Sequence, residues 1–310
     1  MVEFSVVVPT FNRMDVLPEV LEALESQRQA PPYEILVIDD GSSDGTADFL
    51  AGRAFRVPAR VVSQANAGPA RARNAGVELA RGQRVAFLGD DTVPSDGWLA
   101  AHARAWKERG GGEDLAVIGY TGWHPRMTLN PFLRYINEYG LQFGYALIDD
   151  PENVPFNFFY TSNLSLSRQW LVAEPFDLRF PYAAWEDIEL SYRLFKRGLR
   201  LVYAAEATVA HDHPTDIVRF MNRQEKAGYS AIVFYALHPE LGSFVGVGEG
   251  GPPALPSGRR QRLRELLARL LQELPVKTPR LWEDVLRYHY IRGLHRAWAE
   301  RTKLGIGDQT

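Results

Sequence analysis

Two adjacent carboxylates, Asp90 and Asp91, stand in FLGDDTVPSDGWL at the point where an apolar run stops. Side by side in a loop they repel one another, so a cation or a set of hydrogen-bond donors must compensate them, and a divalent metal is the economical answer. The chain has no cysteine. Disulfides, thiolate nucleophiles and cysteine-held zinc are therefore excluded, and any metal rests on carboxylate and histidine. Polar groups stand in the same way at the ends of two other apolar runs, Thr10-Phe11-Asn12 after EFSVVVP and Asp39-Asp40 after EILVI. A second acidic pair, Glu186-Asp187, sits near the start of AWEDIELSYRLFKRG, where a helix macrodipole favours negative charge.

The elements that must hold these groups follow from periodicity. The β-branched run 3–9 predicts a strand, and Val16, Val20, Leu21 and Leu24 then recur at helical spacing through residue 28. Strands follow at 34–38, 60–63 and 84–88, with a short helix from Thr46 and a longer one over 69–80. Nearly all-apolar strands alternating with helices predict an α/β fold with a mostly parallel sheet covered on both faces. Ligands on such sheets gather at the carboxyl ends of the strands, and the polar clusters stand there. Farther on, 184–198 reads as an amphipathic helix ended by Gly198, LVYAAEATVA as a strand leading to His211-Asp212-His213, and 216–237 as a helix.

The 310 residues and 45% hydrophobic content suit one large domain with an appendage. The segments expected are a catalytic domain over 1–240 (halves 1–115 and 116–240), a Gly/Pro-rich linker or mobile loop over 241–258, and a helical extension over 259–310. A net charge of -3 gives no bulk pull toward nucleic acid. Neither a signal peptide nor an apolar run long enough to span a bilayer is found, so the expected location is cytoplasmic. In the extension, leucines 263, 266, 267, 270, 271 and 274 share one helix face with arginines elsewhere. Such a helix either packs on its own domain or makes peripheral contact with the inner membrane face. Residues 123–160 are rich in aromatics, Trp123, Phe132, Tyr135, Tyr139 and Tyr145 among them, which suits either an acceptor cleft or core packing.

The blocks VVVPTFNR, ILVIDDGSSDGT, NAGPARARNAGVELARG, VAFLGDDTVPSDGWL and WEDIELSYRLFKRG, in this order across residues 4–198, resemble those of family 2 glycosyltransferases with the GT-A fold. The resemblance implies a Rossmann-like α/β fold and inverting transfer of a sugar from a nucleotide-diphosphate donor to an acceptor hydroxyl. The acceptor would be a glycan, a lipid-linked precursor or a small molecule. Pro9, Thr10 and Phe11 would border the nucleobase, Asp40 would accept from its ring N–H, Asp90 would hold the ribose hydroxyls, and Arg73 would reach the diphosphate or fix the acidic loop. Arg71 is the alternative to Arg73. Asp91 and His211, with His213 as the alternative histidine, would hold Mg²⁺ or Mn²⁺ against the pyrophosphate, a Lewis acid for the leaving group. Asp187 would be the catalytic base, with Asn163, Trp185 and Glu186 on the acceptor side.

The chain departs from the family in carrying Gly89 where many members have the first acid of the metal motif. No Gln-x-x-Arg-Trp motif follows the base, so single additions are expected rather than processive synthesis. UDP is the default nucleotide, with GDP and dTDP open. A sugar-phosphate nucleotidyltransferase would open with a Gly-rich basic loop, which PTFNRMD is not. A sugar-nucleotide or glycan binding protein without transfer activity is the remaining alternative.

Overall fold

The computed structural model describes residues 2–138, 140–256, 258–274, 279–302 and 304. Tyr139 and parts of the expected linker and extension (257, 275–278, 303, 305–310) lie outside the described residues. The chain divides into two compact units, one made of Met1–Met127, Tyr145–Asp177 and Asp187–His213, the other of Thr128–Gly144, Leu178–Glu186 and Pro214–Thr310. This division groups the helix after His213 with the C-terminal helices.

In the first unit the order is β1 (Phe4–Thr10), α1 (Leu17–Glu25), β2 (Tyr33–Asp39), α2 (Thr46–Gly52), β3 (Ala59–Ser63), α3 (Pro69–Leu79), β4 (Arg84–Leu88), β5 (Thr92–Pro94), α4 (Trp98–Glu108) and β6 (Leu115–Trp123). After α5 (Pro131–Glu138), which belongs to the second unit, come β7 (Asn163–Ser167), α6 (Arg168–Ala173), α7 (Glu186–Lys196) and β8 (Arg200–His211). One eight-stranded sheet runs β3-β2-β1-β4-β7-β6-β8-β5. Its first four strands are parallel, as is the β6–β8 pair, while β7 and β5 run antiparallel to their neighbours. The sheet is therefore mixed, and the antiparallel members are those that alternation with helices could not reveal.

Both faces are covered, which is why the strands read as continuous apolar runs. Phe4, Val6 and Val8 pack with Ile35, Val37 and helices α1 and α4 on one face. Val7, Leu36, Val85 and Phe87 pack with Leu171 of α6 and Leu190 and Leu194 of α7 on the other. The aromatic stretch is largely core: Phe159 is fully buried, and Tyr145 stacks on Tyr203 with its hydroxyl donating to Thr121 Oγ1 (3.1 Å). Trp123 is the exception, lying against His211.

β8 contains an irregularity. Gly119 of β6 faces Ala204, but the next residue, Tyr120, faces Thr208, so 205–207 have no partner on β6. Asn163 fills the defect: its Nδ2 donates to the carbonyls of Tyr120 (3.0 Å) and Ala207 (2.8 Å), which approach so closely that a Cβ on Gly119 would lie 2.2 Å from Ala207 O. Asn163 Oδ1 accepts from the Trp98 indole (2.7 Å) and from His102 Nε2 (3.0 Å). Asn163 is fully buried and all four of these bonds are internal, so it braces the sheet instead of meeting an acceptor.

The network fixes a tautomer. Asn163 Oδ1 can only accept, so His102 Nε2 carries the proton and Nδ1 accepts from Ser165 Oγ (2.9 Å), which itself accepts from the Trp106 indole (2.9 Å). Burial pushes the His102 imidazole down to about 4. The unfolded chain binds a proton at His102 near pH 6.5 and the folded chain does not. The contribution to stability is thus complete above pH 6.5 and is lost as pH falls toward 4, by about 2 kcal/mol between pH 7 and 5. Urea unfolding at those two pH values will show this loss in the native chain. His102→Gln will be less stable at pH 7 but flatter across the interval; an unchanged slope in the variant would exclude His102 as its source.

The second unit holds α5, α8 (Ile217–Leu237), α9 (Gly258–Leu271) and α10 (Pro279–Ala299). α8 and α10 meet through glycines: a Cβ on Gly228 would fall 1.9 Å from Tyr290 O, and one on Gly293 2.1 Å from Glu225 O. Phe132 of α5 packs edge-on against Phe220 and Trp282. The segment expected to be a linker or mobile loop is instead anchored. Val245 and Val247 are buried, the Tyr290 hydroxyl donates to Val245 O (2.9 Å), and His295 Nε2 donates to Pro253 O (2.8 Å).

Candidate active site

β1 ends at Thr10 opposite Asp39, and the loops after β1 and β2 are stitched together. Asn12, in the left-handed region (φ 53°), takes Ser43 N–H on its Oδ1 (2.7 Å) and gives its own N–H to Ser42 Oγ (2.9 Å). Asp44 accepts from Met14 N and from Thr46 Oγ1. This seam explains the DGSSDGT block, whose small polar residues close turns while Gly41 (φ 81°) passes close to Asn66 N.

The seam aims Arg13 at the acidic pair. Its Nε donates to Asp90 Oδ1 (3.4 Å) and an Nη donates to Asp91 Oδ2 (3.2 Å), and that Nη lies 3.3 Å from His213 Nδ1. Sequence reasoning did not single out Arg13, although it closes the block VVVPTFNR; its acidic partners stand far along the chain. Phe11 N–H donates to Asp90 Oδ2 (3.3 Å). Burial and the charge of Asp91 push Asp90 up to about 6, against the pull of Arg13. Burial also works against Asp91, but His211, His213 and Arg13 bring it well below the usual carboxylate range.

The histidines reach Asp91 through strand register. β5 lies antiparallel to β8 with Thr92 opposite His211, and Asp212 N–H donates to Asp91 O (2.8 Å). His211 and His213, two apart on an extended chain, project to the same side with their rings stacked (5.3 Å, 4°), and Trp123 stacks on His211 (5.6 Å, 20°). His213 Nδ1 is 3.0 Å and His211 Nε2 3.5 Å from Asp91 Oδ2. The choice between the two histidines dissolves, because one ligand atom from each of Asp91, His211 and His213 lies within 4.8 Å of the others. Behind them Arg126 pairs with Asp212 and with Glu19, holding the strand end.

Gly89 sits in a tight turn in which Thr92 Oγ1 donates to Gly89 O (2.8 Å), and a Cβ there would press on Thr92 Oγ1 (3.1 Å) and Asp91 Oδ1 (3.2 Å).

The remaining candidates fall into two groups. Phe11 is 45% exposed and does not pack in the core, while Thr10 is buried and Pro9 half-buried beside it. Asp40 is buried and already receives three donors, Gln64 Nε2 (2.7 Å), Ala67 N (3.0 Å) and Gly68 N (2.8 Å), so it shapes the loop entering α3. Arg73 lies over the Phe176 ring (5.5 Å), while Arg71 is exposed. Asp187, half-buried at the start of α7, accepts from Ile188 N–H (2.9 Å). Glu186 is only 3% exposed, which leaves little of it to meet an acceptor. Trp185, half-buried, adopts φ 74°, uncommon for a bulky residue, and is held by Nε1–H to Ala227 O (3.0 Å) and by contacts with Phe234 and Phe244.

A mixed α/β sheet carrying loops of this kind at its carboxyl edge has the GT-A fold of a sugar transferase, and the comparisons agree. The family model "Glycosyl transferase family 2" matches residues 5–171, and the chain belongs to that family. Among relatives, a validoxylamine A glucosyltransferase from Streptomyces hygroscopicus subsp. limoneus is 31% identical over 66% of this chain and 50% of its own length. A hyaluronan synthase from Pasteurella multocida is 28% identical over 64% of this chain and 23% of its own. The chain therefore spans half or less of the length of these two. In fold it is similar to mannosyltransferase PcManGT from Pyrobaculum calidifontis in complex with GDP-Man and Mn²⁺ (TM-score 0.60, 16% identity, 96% of this chain and 88% of that one). It is also similar to S. aureus TarS 1-349 in complex with UDP-GlcNAc (TM-score 0.54, 14% identity, 99% and 93%).

Proposed function

We infer that this glycosyltransferase moves a sugar, with inversion and in single additions, from a nucleoside diphosphate sugar to an acceptor hydroxyl on a glycan, a lipid-linked precursor or a small molecule. The carrying observation is the Asp91-His211-His213 cluster beside Asp90 and the exposed ring of Phe11. The donors named for the structural neighbours, UDP-GlcNAc and GDP-Man, support a nucleotide sugar. UDP is the preferred nucleotide, with Phe11 and Thr10 bordering the base, Asp90 taking ribose hydroxyls and Arg73 serving the diphosphate.

One carboxylate and two imidazoles make a nitrogen-rich donor set, which fits Mn²⁺ better than Mg²⁺, an ion that favours oxygen ligands. Held there, the ion would supply Lewis-acid stabilisation of the departing diphosphate. Asp187 takes the proton of the incoming hydroxyl as its oxygen bonds to the anomeric carbon, and the bond from that carbon to the diphosphate oxygen breaks.

A thermal-shift screen of UDP-, GDP- and dTDP-sugars with Mn²⁺ tests the reading. One donor class will raise the midpoint in the presence of Mn²⁺, by mass action on the native state, and chelation will remove both the shift and donor turnover. Turnover that persists without any divalent ion would overturn the metal assignment.

A further inference from the structure

α9 is packed with its polar side inward. Gln261 and Ala268 are buried, Gln261 Nε2 donates to Glu265 Oε1 (3.2 Å), Glu265 pairs with His289 Nε2 (3.1 Å), and Gln272 Oε1 accepts from Ile217 N–H (3.3 Å). Residues 261, 265, 268 and 272 recur every three or four positions and define one face. The opposite face carries Leu263 (59% exposed), Leu266 (54%), Leu267 (40%) and Leu270 (63%), continued by Leu274 (50%) just past the helix end. An amphipathic helix normally buries its leucines; here polar bonds dock the helix and the apolar stripe faces outward.

The stripe has charged margins of one sign. At 100° per residue, Arg264 lies along one edge of it and Arg262 and Arg269 along the other, all three exposed. Arg264 reaches Asp284 of α10 (3.4 Å), an exposed pair of the kind that contributes little. The helix acids are placed away from the stripe centre, Glu265 on His289 and, after the helix, Glu273 on Asn130 Nδ2 (2.9 Å). Arginine stems can lie along an apolar boundary while their guanidinium groups stay at the level of phosphates. A second copy of this chain would have to bring acids to meet these margins, whereas an anionic bilayer offers both an acyl layer and a negative surface. Among the described residues no helix is long and apolar enough to cross a membrane.

We propose that the outward leucine stripe of α9, edged by Arg262, Arg264 and Arg269, is a membrane-docking surface that lies in the interface of an anionic phospholipid bilayer. The leucines enter the boundary between headgroups and acyl chains and the arginines bind lipid phosphates. This assignment does not depend on the donor or the acceptor of the transfer reaction.

Vesicle sedimentation of the full chain tests it. The protein will pellet with phosphatidylcholine vesicles containing phosphatidylglycerol, less with phosphatidylcholine alone, and less as salt rises. Leu266→Glu with Leu270→Glu will lower the bound fraction at least about tenfold at equal lipid, since two large apolar groups no longer transfer from water. Both sites are exposed, so circular dichroism will show the native helix content. Arg262→Glu with Arg269→Glu will weaken binding to the anionic vesicles and leave the weak binding to neutral ones unchanged. The proposal fails if the native chain does not pellet, or if it pellets equally with both lipids. It also fails if the leucine variant binds like the native chain. A concentration-dependent dimer that the leucine substitutions dissociate, with no vesicle binding, would assign the stripe to a second copy and overturn the proposal.

Discussion

Asp187→Asn will bind the donor as the native chain does and lose transfer by about a thousandfold, the middle of the range for removal of a general base. The substitution is nearly isosteric, and the amide oxygen of asparagine can still accept from Ile188 N–H as the carboxylate does at 2.9 Å. Helix α7 therefore keeps its start, and Leu190 and Leu194 keep their places in the core. What is removed is the carboxylate's charge and, with it, its proton-accepting power. Single-turnover transfer measured beside the donor's thermal shift separates the two effects. Transfer within a few fold of native would remove Asp187 as the base, whereas loss of the thermal shift as well would mean that the variant has damaged donor binding.

Asp91→Ala will abolish the Mn²⁺-dependent rise in thermal midpoint and reduce metal-dependent turnover by about a hundredfold or more, the scale for losing electrostatic stabilisation of a leaving group. Asp91 is the only carboxylate within the three-residue cluster and the group on which Arg13, His211 and His213 converge. Its removal leaves two imidazoles, a set that carries no negative charge to attract a cation. Loss of the neighbouring acid also relieves the repulsion that raises Asp90, so the variant's stability without added metal will fall less than loss of a partly buried ion pair alone would suggest. Calorimetric titration with Mn²⁺ gives the test. Undiminished affinity in the variant would move the ion to a different set of ligands.

The sheet was legible because buried parallel strands must be apolar along their whole length, and because polar clusters are tolerated only where such strands end. Asp90, Asp91 and His211 could be selected from those ends and from the family blocks. The roles of Asn163 and Arg13 could not, since each depends on contacts far along the chain. Nothing local in TSNLSLS announces that two carbonyls stand unpaired elsewhere, at Tyr120 and Ala207, waiting for its amide. Phe11 and Trp185 show the limit in opposite directions: one aromatic proves exposed and the other is tied into a cluster, and type alone says neither. In α9 the leucine face could be drawn from spacing, but which face docks was decided by Gln261, Glu265 and Gln272, polar residues with specific partners. Glycine and proline density in 242–258 suggested freedom, yet small residues also permit the close approach seen there, with Gly251 lying against Trp298.

The unpaired residues 205–207 are odd in number, and that sets the phase of β8. Before them the even positions Val202 and Ala204 enter the α1–α4 side of the core; from the last of them onward the odd positions Ala207 and Val209 do, with His211 next in the same series. The strand thus behaves like a text with a reading frame. Insertion or loss of one residue at 205–207 would turn both imidazoles to the far side of the sheet and bring Asp212 round in their place, whereas a change of two would leave them where they are.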